Sequence, residues 1–188
     1  LDYGVGNIAS LSGVLSKLGY QVLVGNNEDS LTGVKAIFLP GVGSFDFAMR
    51  NLRELKMDIF LKNRFKASDV NVIGICLGMQ ILFDHSEEGD CSGLGLIKGK
   101  VKRFSEKECH VGWNIASASS DFLISGQSGY YFNHSYYVEC NTDVTLATSK
   151  YQKEFPVIVN KNKFYGVQFH PEKSHENGIQ LLKNFSDL

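Results

Sequence analysis

The feature that most constrains the fold is a strand-like run, Val70 to Ile75, that leads through Gly74-Ile75-Cys76-Leu77-Gly78 into a helical run, Leu77 to Phe83. The pattern G-x-C-x-G is the cysteine counterpart of the nucleophile elbow, where glycines on both sides make room for a sharp strand-to-helix turn. Such a turn presents a sulfur at the carboxyl end of a sheet, beside helix N–H groups that favour a thiolate. The alternative is a buried cysteine in a glycine-rich loop.

The first half of the chain alternates between helical and strand-like periodicity. The helical stretches are Gly6–Gly19, Phe45–Lys56 and Ile59–Phe65, and the strand-like ones are Tyr20–Val24 and Ala36–Leu39. Strands that alternate with helices predict a parallel sheet covered on both faces.

The second half is rich in strands instead. The strand-like runs are Leu94–Phe104, Val111–Ala116, Tyr130–Glu139, Val144–Thr148 and Pro156–Phe169, with a hairpin turn at Asn160–Lys163 and a closing helix at Glu176–Phe185. The whole pattern predicts one domain over residues 1–188, an α/β fold of three layers with a mixed, mainly parallel sheet. The chain opens at Leu1 without a methionine, so most of a first strand is expected before it.

Composition excludes several classes of function. The formal net charge of -1 gives no sign of a nucleic-acid or anionic-membrane partner. No apolar run approaches the roughly 20 residues of a membrane span, and no signal peptide leads the chain, so a cytoplasmic protein is expected. The cysteines Cys76, Cys91, Cys109 and Cys140 have neither metal-site spacing nor a disulfide framework. We expect free thiols, no metal and no cofactor.

A thiolate nucleophile needs an oriented base, and His170 is the best candidate among the histidines. In Gly166-Val167-Gln168-Phe169-His170-Pro171-Glu172 it ends an apolar strand, so it too is expected at the carboxyl edge of the sheet. Pro171 turns the chain, which lets Glu172 fold back, bind the imidazole and raise its basicity. A lone strand-end histidine is more often structural, but together with the elbow it makes Cys76, His170 and Glu172 a candidate triad.

A further element is Pro40-Gly41-Val42-Gly43, which follows the strand Ala36–Leu39. Glycine-rich backbone at the carboxyl end of a strand can aim N–H groups at developing negative charge. A plain turn is the alternative.

Together these residues resemble the class I (triad) glutamine amidotransferases, and among them the glutaminase subunits of imidazole glycerol phosphate synthase. The segments that carry the resemblance are DYGVGN (2–7), PGVGSF (40–45), GICLGMQ (74–80), SEEGDCSGLGL (86–96), HVGWN (110–114), HSYY (134–137) and GVQFHPEKS (166–174). They span nearly the whole chain in family order. The resemblance implies a flavodoxin-like domain that hydrolyses L-glutamine.

The resemblance also implies a role for each matching residue. Cys76 corresponds to the nucleophile, His170 to the general base and acid, and Glu172 to the residue that orients it. Backbone N–H groups of the oxyanion hole correspond to Leu77 and to the loop at Val42 and Gly43. The glutamine pocket is implied to use the side chains of Gln80 and Glu88 and the backbone of His134, Ser135 and Tyr136.

By the same resemblance, the ammonia passes to a (β/α)8-barrel synthase subunit (HisF), which forms imidazole glycerol phosphate and an aminoimidazole carboxamide ribotide. Lys173, Trp113 and Asn7 match positions near that interface; the alternatives are an exposed lysine, a core tryptophan and a turn asparagine. The family's oxyanion loop is thought to be misaligned until the partner resets it, which implies weak glutaminase activity in the isolated chain.

Two departures from the family pattern leave the partner open. Cys109 stands where a proline is usual before H-x-G-W-N, and His175-Glu176-Asn177 replaces smaller residues after PEKS. An alternative is therefore a paralogue that supplies ammonia to a sugar amidotransferase, or less readily the glutaminase of pyridoxal phosphate synthesis. A non-catalytic α/β scaffold and a peptidase or γ-glutamyl hydrolase with the same triad are more distant alternatives.

Overall fold

A computed structural model describes residues 1–105, 109–118 and 122–188. The helices are α1 (Ile8–Lys17), α2 (Phe45–Glu54), α3 (Met57–Ala67), α4 (Leu77–Gln80) and α5 (His175–Ser186). The strands are β1 (Ala36–Gly41), β2 (Asn71–Cys76), β3 (Phe83–Ser86), β4 (Cys91–Ser92), β5 (Ile97–Arg103), β6 (His110–Ala118), β7 (Gln127–His134), β8 (Tyr136–Cys140), β9 (Thr145–Tyr151), β10 (Lys153–Lys161) and β11 (Phe164–Val167).

The strands form a seven-stranded sheet in the order β1-β2-β11-β10-β9-β6-β7 and a four-stranded sheet in the order β4-β3-β5-β8. In the larger sheet β2 pairs in parallel with β1 and β11. The remaining described ladders of that sheet are antiparallel and outnumber the parallel ones, because hairpins connect much of the second half of the chain. The mixed α/β sheet is confirmed, and its parallel part is the part that carries the cysteine turn.

Side chains of β2 alternate between two separate cores, which makes the fold three-layered. Val72 packs in a cluster with α2 and α3, whereas Ile73 and Ile75 pack in another with α1 and α5. Every residue of β2 is buried, as expected for a strand covered on both faces. Truncating one of these side chains to alanine is expected to cost about 2–5 kcal/mol of stability.

The hairpin turn between β10 and β11 forms where it was predicted. Asn162 has a φ of 55°, a left-handed conformation that asparagine tolerates better than most residues. Asn160 fixes the turn, because its side-chain amide donates to the carbonyls of Asn162 and Phe164 at 2.8 and 3.2 Å. The turn therefore holds β11 next to β10 and leaves the other edge of β11 free to pair with β2.

The segment 20–24, predicted as a strand, forms no ladder. The Asp2 N–H donates to the Gly25 carbonyl and the Leu1 amino group donates to the Phe38 carbonyl, both at 2.8 Å. The start of the chain thus bonds to Gly25 on one side and to β1 on the other. A cavity of about 1000 Å³ is lined by this segment, α1 and β1, and none of Cys76, His170 and Glu172 lines it.

Two other predicted boundaries are wrong for a tertiary reason. The helix predicted over Leu77–Phe83 ends at Gln80, because Phe83 begins β3, which pairs with β5. The single strand predicted over Tyr130–Glu139 is broken at Ser135, because β7 pairs with β6 while β8 crosses to the smaller sheet. Pairing with distant strands outweighs local periodicity at both places. Among the described residues, no helix is long and apolar enough to cross a membrane.

Candidate active site

The cysteine turn has the strained geometry of a nucleophile elbow. Cys76 is the last residue of β2 and precedes α4, with a φ of 55° and a ψ of -109°, a region that side chains other than glycine rarely adopt. A Cβ atom on Gly74 would collide with the Gly78 carbonyl, and one on Gly78 would collide with the Leu39 carbonyl. Both glycines of G-x-C-x-G are therefore required by close backbone contacts.

His170 and Glu172 form a buried pair. His170 Nδ1 lies 2.8 Å from Glu172 Oε1, and the two side chains are only 3% and 4% exposed. The His170 N–H donates to the Tyr131 carbonyl at 2.9 Å. Ser174 Oγ donates to the His170 carbonyl at 2.6 Å and accepts from the Tyr131 N–H at 3.0 Å. The 3-10 turn Pro171–Lys173 is thus fixed to β7, and this fixes the imidazole.

The environment of His170 favours its charged form. Burial of the ring lowers its pKa, but hydrogen bonds to Cys76 and Glu172, with the charges of both, outweigh burial and raise the pKa to about 10. The ring therefore holds its proton at neutral pH. An imidazolium in hydrogen-bond contact with a cysteine sulfur is an arrangement that activates thiol nucleophiles.

Two further groups lie against the sulfur of Cys76. Gln168 Nε2 is 3.7 Å from Sγ, and the carbonyl oxygen of Asn133 is 3.9 Å from it. The Gln168 side chain continues to Gln80, whose Nε2 lies 3.1 Å from Gln168 Oε1 and 3.0 Å from the Tyr136 carbonyl. The structure thus brings Gln80 and the Tyr136 backbone together beside Cys76. Sequence reasoning missed Gln168 and Asn133.

The loop after β1 lies beside the elbow. Gly41 is the parallel partner of Cys76, and Val42 and Gly43 follow it directly. A Cβ atom on Gly41 would lie 2.9 Å from both the Gly78 nitrogen and Leu77 Cβ, so the loop backbone packs against the start of α4. Gly43 has a φ of 111° and open space around it. Val42, Gly43 and Leu77 therefore share one edge of the sheet with Cys76.

Glu88 lies at the other end of this loop. Its Oε2 accepts from the Phe45 N–H at 2.9 Å and so caps the start of α2. Partial burial raises the pKa of its carboxyl group, and the Phe45 N–H acts in the opposite direction. Of the other predicted pocket residues, Ser135 offers a carbonyl that already accepts from the Phe104 N–H at 3.0 Å.

His134 belongs to a second buried histidine site. Its Nδ1 lies 2.7 Å from the Tyr136 carbonyl, and its Nε2 lies 3.0 Å from His110 Nδ1. His110 Nε2 in turn lies 3.0 Å from the side-chain amide of Asn114. Burial lowers the pKa of His110 to about 4 and that of His134 to about 3. Both rings are neutral at pH 7, and His110 was not predicted.

Of the three residues predicted at a partner interface, two lie close together. Trp113 is 53% exposed, so the alternative of a core tryptophan is wrong. Its ring stacks on His175 with centroids 5.2 Å apart, and it lies 6.4 Å from the Tyr131 ring. Lys173 Nζ is 5.8 Å from that same ring. Asn7 instead caps α1, where its side chain accepts from the Ser10 N–H at 3.3 Å.

Comparison with known proteins places this chain in a family. Residues 1–187 match the family described as "Glutamine amidotransferase class-I". The chain is 42% identical over 195 residues to "Imidazole glycerol phosphate synthase subunit HisH 2" of Methanococcus maripaludis, covering 98% of this chain and 96% of that protein. It is 42% identical over 200 residues to "Imidazole glycerol phosphate synthase subunit HisH" of Bdellovibrio bacteriovorus, covering 100% of this chain and 98% of that protein.

Solved structures share the fold at lower identity. A crystal structure of a glutamine amidotransferase superposes with a TM-score of 0.78 at 21% identity, covering 97% of this chain and 94% of that one. A glutamine amidotransferase from Thermotoga maritima superposes with a TM-score of 0.61 at 16% identity, covering 94% of this chain and 76% of that one.

Proposed function

Because the chain belongs to the class I glutamine amidotransferases, we propose that Cys76, His170 and Glu172 are the residues with which it hydrolyses L-glutamine to glutamate and ammonia. The protein is a glutaminase, and its function is that of the HisH-type subunit of imidazole glycerol phosphate synthase in histidine biosynthesis. The observation that carries the proposed catalytic roles is the buried, charge-stabilised His170 in hydrogen-bond contact with a cysteine at a strained elbow.

The proposed reaction has two halves. The Cys76 thiolate attacks the carboxamide carbon of glutamine, and the resulting oxyanion is held by backbone N–H groups of Leu77 and of the loop at Val42 and Gly43. His170 gives its proton to the departing nitrogen, so ammonia leaves and a glutamyl thioester remains. His170 then takes a proton from water, which attacks the thioester, releases glutamate and restores the thiolate. Each oxyanion donor contributes about 3 kcal/mol to lowering the barrier.

Glutamine itself is proposed to bind between Gln80, Glu88 and the backbone of residues 134–136. The bond from Gln80 to the Tyr136 carbonyl supports this proposal, because it joins α4 to β8 next to the sulfur. Glu88 supports it through its place at the start of α2, beside the loop that follows β1. A carboxylate there is suited to hold an ammonium group.

The proposed partner is a HisF-type (β/α)8-barrel subunit that receives the ammonia in a heterodimer. The exposed apolar side chains of β6, namely Val111, Trp113 and Ile115, support a docking face on this strand. Lys173 lies at the edge of the same face and contributes a charge. Since Lys173 is three residues from His170, docking there acts close to the catalytic turn. The free cysteines fit a reducing compartment, so we propose a cytoplasmic location.

The test is glutamate release from L-glutamine by the purified chain. It is measured for the chain alone, with the barrel subunit of its own histidine pathway, and with that subunit and its nucleotide ligand. We expect weak turnover alone and strong stimulation in the complex, abolished by Cys76→Ala. Cys140→Ala is the matched control, because Cys140 is the last residue of β8 and its sulfur faces the Thr145 hydroxyl group, and it is expected to leave turnover unchanged.

Two results would contradict the proposal in different ways. Turnover that survives Cys76→Ala would remove the proposed nucleophile. Cys76-dependent turnover that a folded histidine-pathway partner fails to stimulate would keep the glutaminase but point to the sugar-modifying paralogue as its acceptor.

A further inference from the structure

We propose that Gln168 is a positioning residue that holds an N–H donor against the sulfur of Cys76, and that a polar chain beginning at the Tyr136 carbonyl fixes which end of its amide faces the sulfur. This inference rests on the proposed function, because it concerns the state of the proposed nucleophile. It adds to the triad a residue from the short segment between the end of β11 and His170.

The orientation of both amides follows from one backbone group. The Tyr136 carbonyl can only accept hydrogen bonds, so the Gln80 atom 3.0 Å away must be the NH2 group. The same Gln80 nitrogen lies 3.1 Å from the Gln168 side chain. The facing Gln168 atom must therefore be its oxygen, since two NH2 groups would oppose each other. That leaves the Gln168 NH2 group pointing at Cys76 Sγ, 3.7 Å away.

Gln168 has no freedom to turn its amide toward water. The residue is fully buried, and its own N–H donates to the Val157 carbonyl at 3.0 Å. A buried amide group without partners is costly, so its contacts with Gln80 and the sulfur are strongly favoured over any other arrangement. The donor is therefore a fixed part of the site and is present before any substrate binds.

A fixed donor acts on the two protonation states of the sulfur differently. An NH2 group can donate to a thiolate but cannot accept a hydrogen bond from a thiol. The Asn133 carbonyl, 3.9 Å from Sγ, can only accept and therefore favours the thiol. The NH2 group of Gln168 counteracts the effect of the Asn133 carbonyl and, like the positive charge of His170, favours the thiolate. Its contribution is to the thiolate population and to the direction in which the sulfur lone pairs point.

The test is the pH dependence of iodoacetamide alkylation at Cys76. Peptide mass spectrometry separates Cys76 from Cys91, Cys109 and Cys140. Gln168→Met keeps the approximate volume but removes both ends of the amide. Gln168→Glu keeps an acceptor for Gln80 and replaces only the donor at the sulfur. Gln180→Met is the matched control, because Gln180 lies on α5 and bonds only to Asn184 among the described contacts.

We expect the pH midpoint of alkylation to rise by about one unit in Gln168→Met and by more in Gln168→Glu, since one hydrogen bond to a charged group is worth about tenfold in an equilibrium. Gln180→Met is expected to match the parent. In glutamine turnover, Gln168→Glu is expected to lower kcat about tenfold with KM little changed, because Gln80 keeps its bond. Far-UV circular dichroism and thermal melting verify that each variant is folded.

Alkylation profiles of both Gln168 variants that superimpose on that of the parent would overturn the inference. If Gln168→Met fails to fold, Gln168→Glu decides alone, since it retains the bond to Gln80. A parent protein in which Cys76 reacts with the profile of an ordinary thiol would instead count against the proposed catalytic triad, so the two failures are distinguishable.

Discussion

The molecule buries histidines in two neighbouring regions and gives them opposite charge. His170 lies between Glu172 and Cys76, and its pKa is raised to about 10. His134 lies against His110 and a carbonyl, and burial lowers its pKa to about 3. Both rings are almost fully buried. Burial alone therefore does not decide the protonation state, and the anionic partner does.

The neutral region has its proton positions fixed as strictly as the charged one. The Tyr136 carbonyl requires a proton on His134 Nδ1, so His134 Nε2 must accept from His110 Nδ1. His110 Nε2 then accepts from the Asn114 amide, which also donates to the Lys150 carbonyl at 3.0 Å. Adding a proton to either ring would place two donors face to face. The same carbonyl thus orients this chain and the one that ends at Cys76.

The largest effect is expected from removing the Glu172 carboxylate, whose charge makes the surroundings of His170 differ from those of His134. Glu172→Gln leaves Cys76 as the remaining anionic neighbour of His170, so the pKa of His170 falls and the wrong tautomer becomes available. We expect kcat for glutamine hydrolysis to fall about 10³- to 10⁴-fold, by analogy with the orienting carboxylate of other triads. Steady-state kinetics at constant pH measures this. A loss of less than tenfold would show that the carboxylate does not set the state of His170.

Acid should destabilise the protein because the neutral pair His110 and His134 resists protonation in the folded state. The folded-state pKa values of His110 and His134 lie below that of an unfolded histidine, so the unfolded chain binds more protons below pH 6.5. Stability is therefore lost as the pH falls from about 6.5 toward 4 for His110 and toward 3 for His134, by about 4 kcal/mol at pH 5 for both rings together. His170 has the opposite sign, and its contribution is lost as the pH rises from about 6.5 toward 10. Urea unfolding across this range is the measurement, and a flat stability between pH 7 and 5 would contradict it.

Replacing His110 should separate the contributions that His110 and His134 make to the pH dependence of stability. His110→Phe keeps an aromatic ring beside Phe132 but leaves His134 Nε2 without its donor, at a cost of about 1–3 kcal/mol at pH 7. The loss of stability between pH 6.5 and 4 should become roughly half as steep. Phe185→Leu serves as the control, since it disturbs the buried core without removing an ionisable group and is expected to leave the slope unchanged. An unchanged slope in His110→Phe would refute the assignment.

The smallest effect is expected at a buried hydroxyl group beside Gly41, the strand partner of Cys76. Tyr3 Oη is buried without a hydrogen-bond partner among the described residues, and burial raises the pKa of Tyr3 far above its usual value. Tyr3→Phe therefore removes no hydrogen bond and relieves an unsatisfied group. We expect the free energy of unfolding to stay the same or to rise by up to about 1 kcal/mol. A clear loss of stability would mean that the hydroxyl has a partner after all.

The charged region could be predicted from the sequence because the residues that form it lie in short, recognisable segments of the chain. His170 and Glu172 are two residues apart across a proline, and the glycines around Cys76 mark a turn with few alternatives. The neutral region could not be predicted in the same way. His110 and His134 meet only because β6 and β7 pair in the register that places them opposite each other. A shift of that register by one residue would turn both side chains to the other face.

Gln168 was missed for a related reason. In the sequence it stands within an apolar run, where a single polar residue looks like the exposed face of a strand. The structure buries it completely because Gln80, from the helix after the elbow, supplies its partner across a sequence distance of 88 residues. Periodicity predicts which face a residue takes, but it does not predict a polar partner that arrives from another element.

The most direct test of the difference in charge between His170 and the pair His110 and His134 is ¹⁵N NMR of the histidine side chains at pH 7. The Glu172→Gln and His110→Phe variants assign the signals. We predict that both ring nitrogens of His170 carry protons, whereas His110 and His134 are neutral with the proton on Nδ1. A neutral His170 at pH 7, or a protonated His134, would contradict the account.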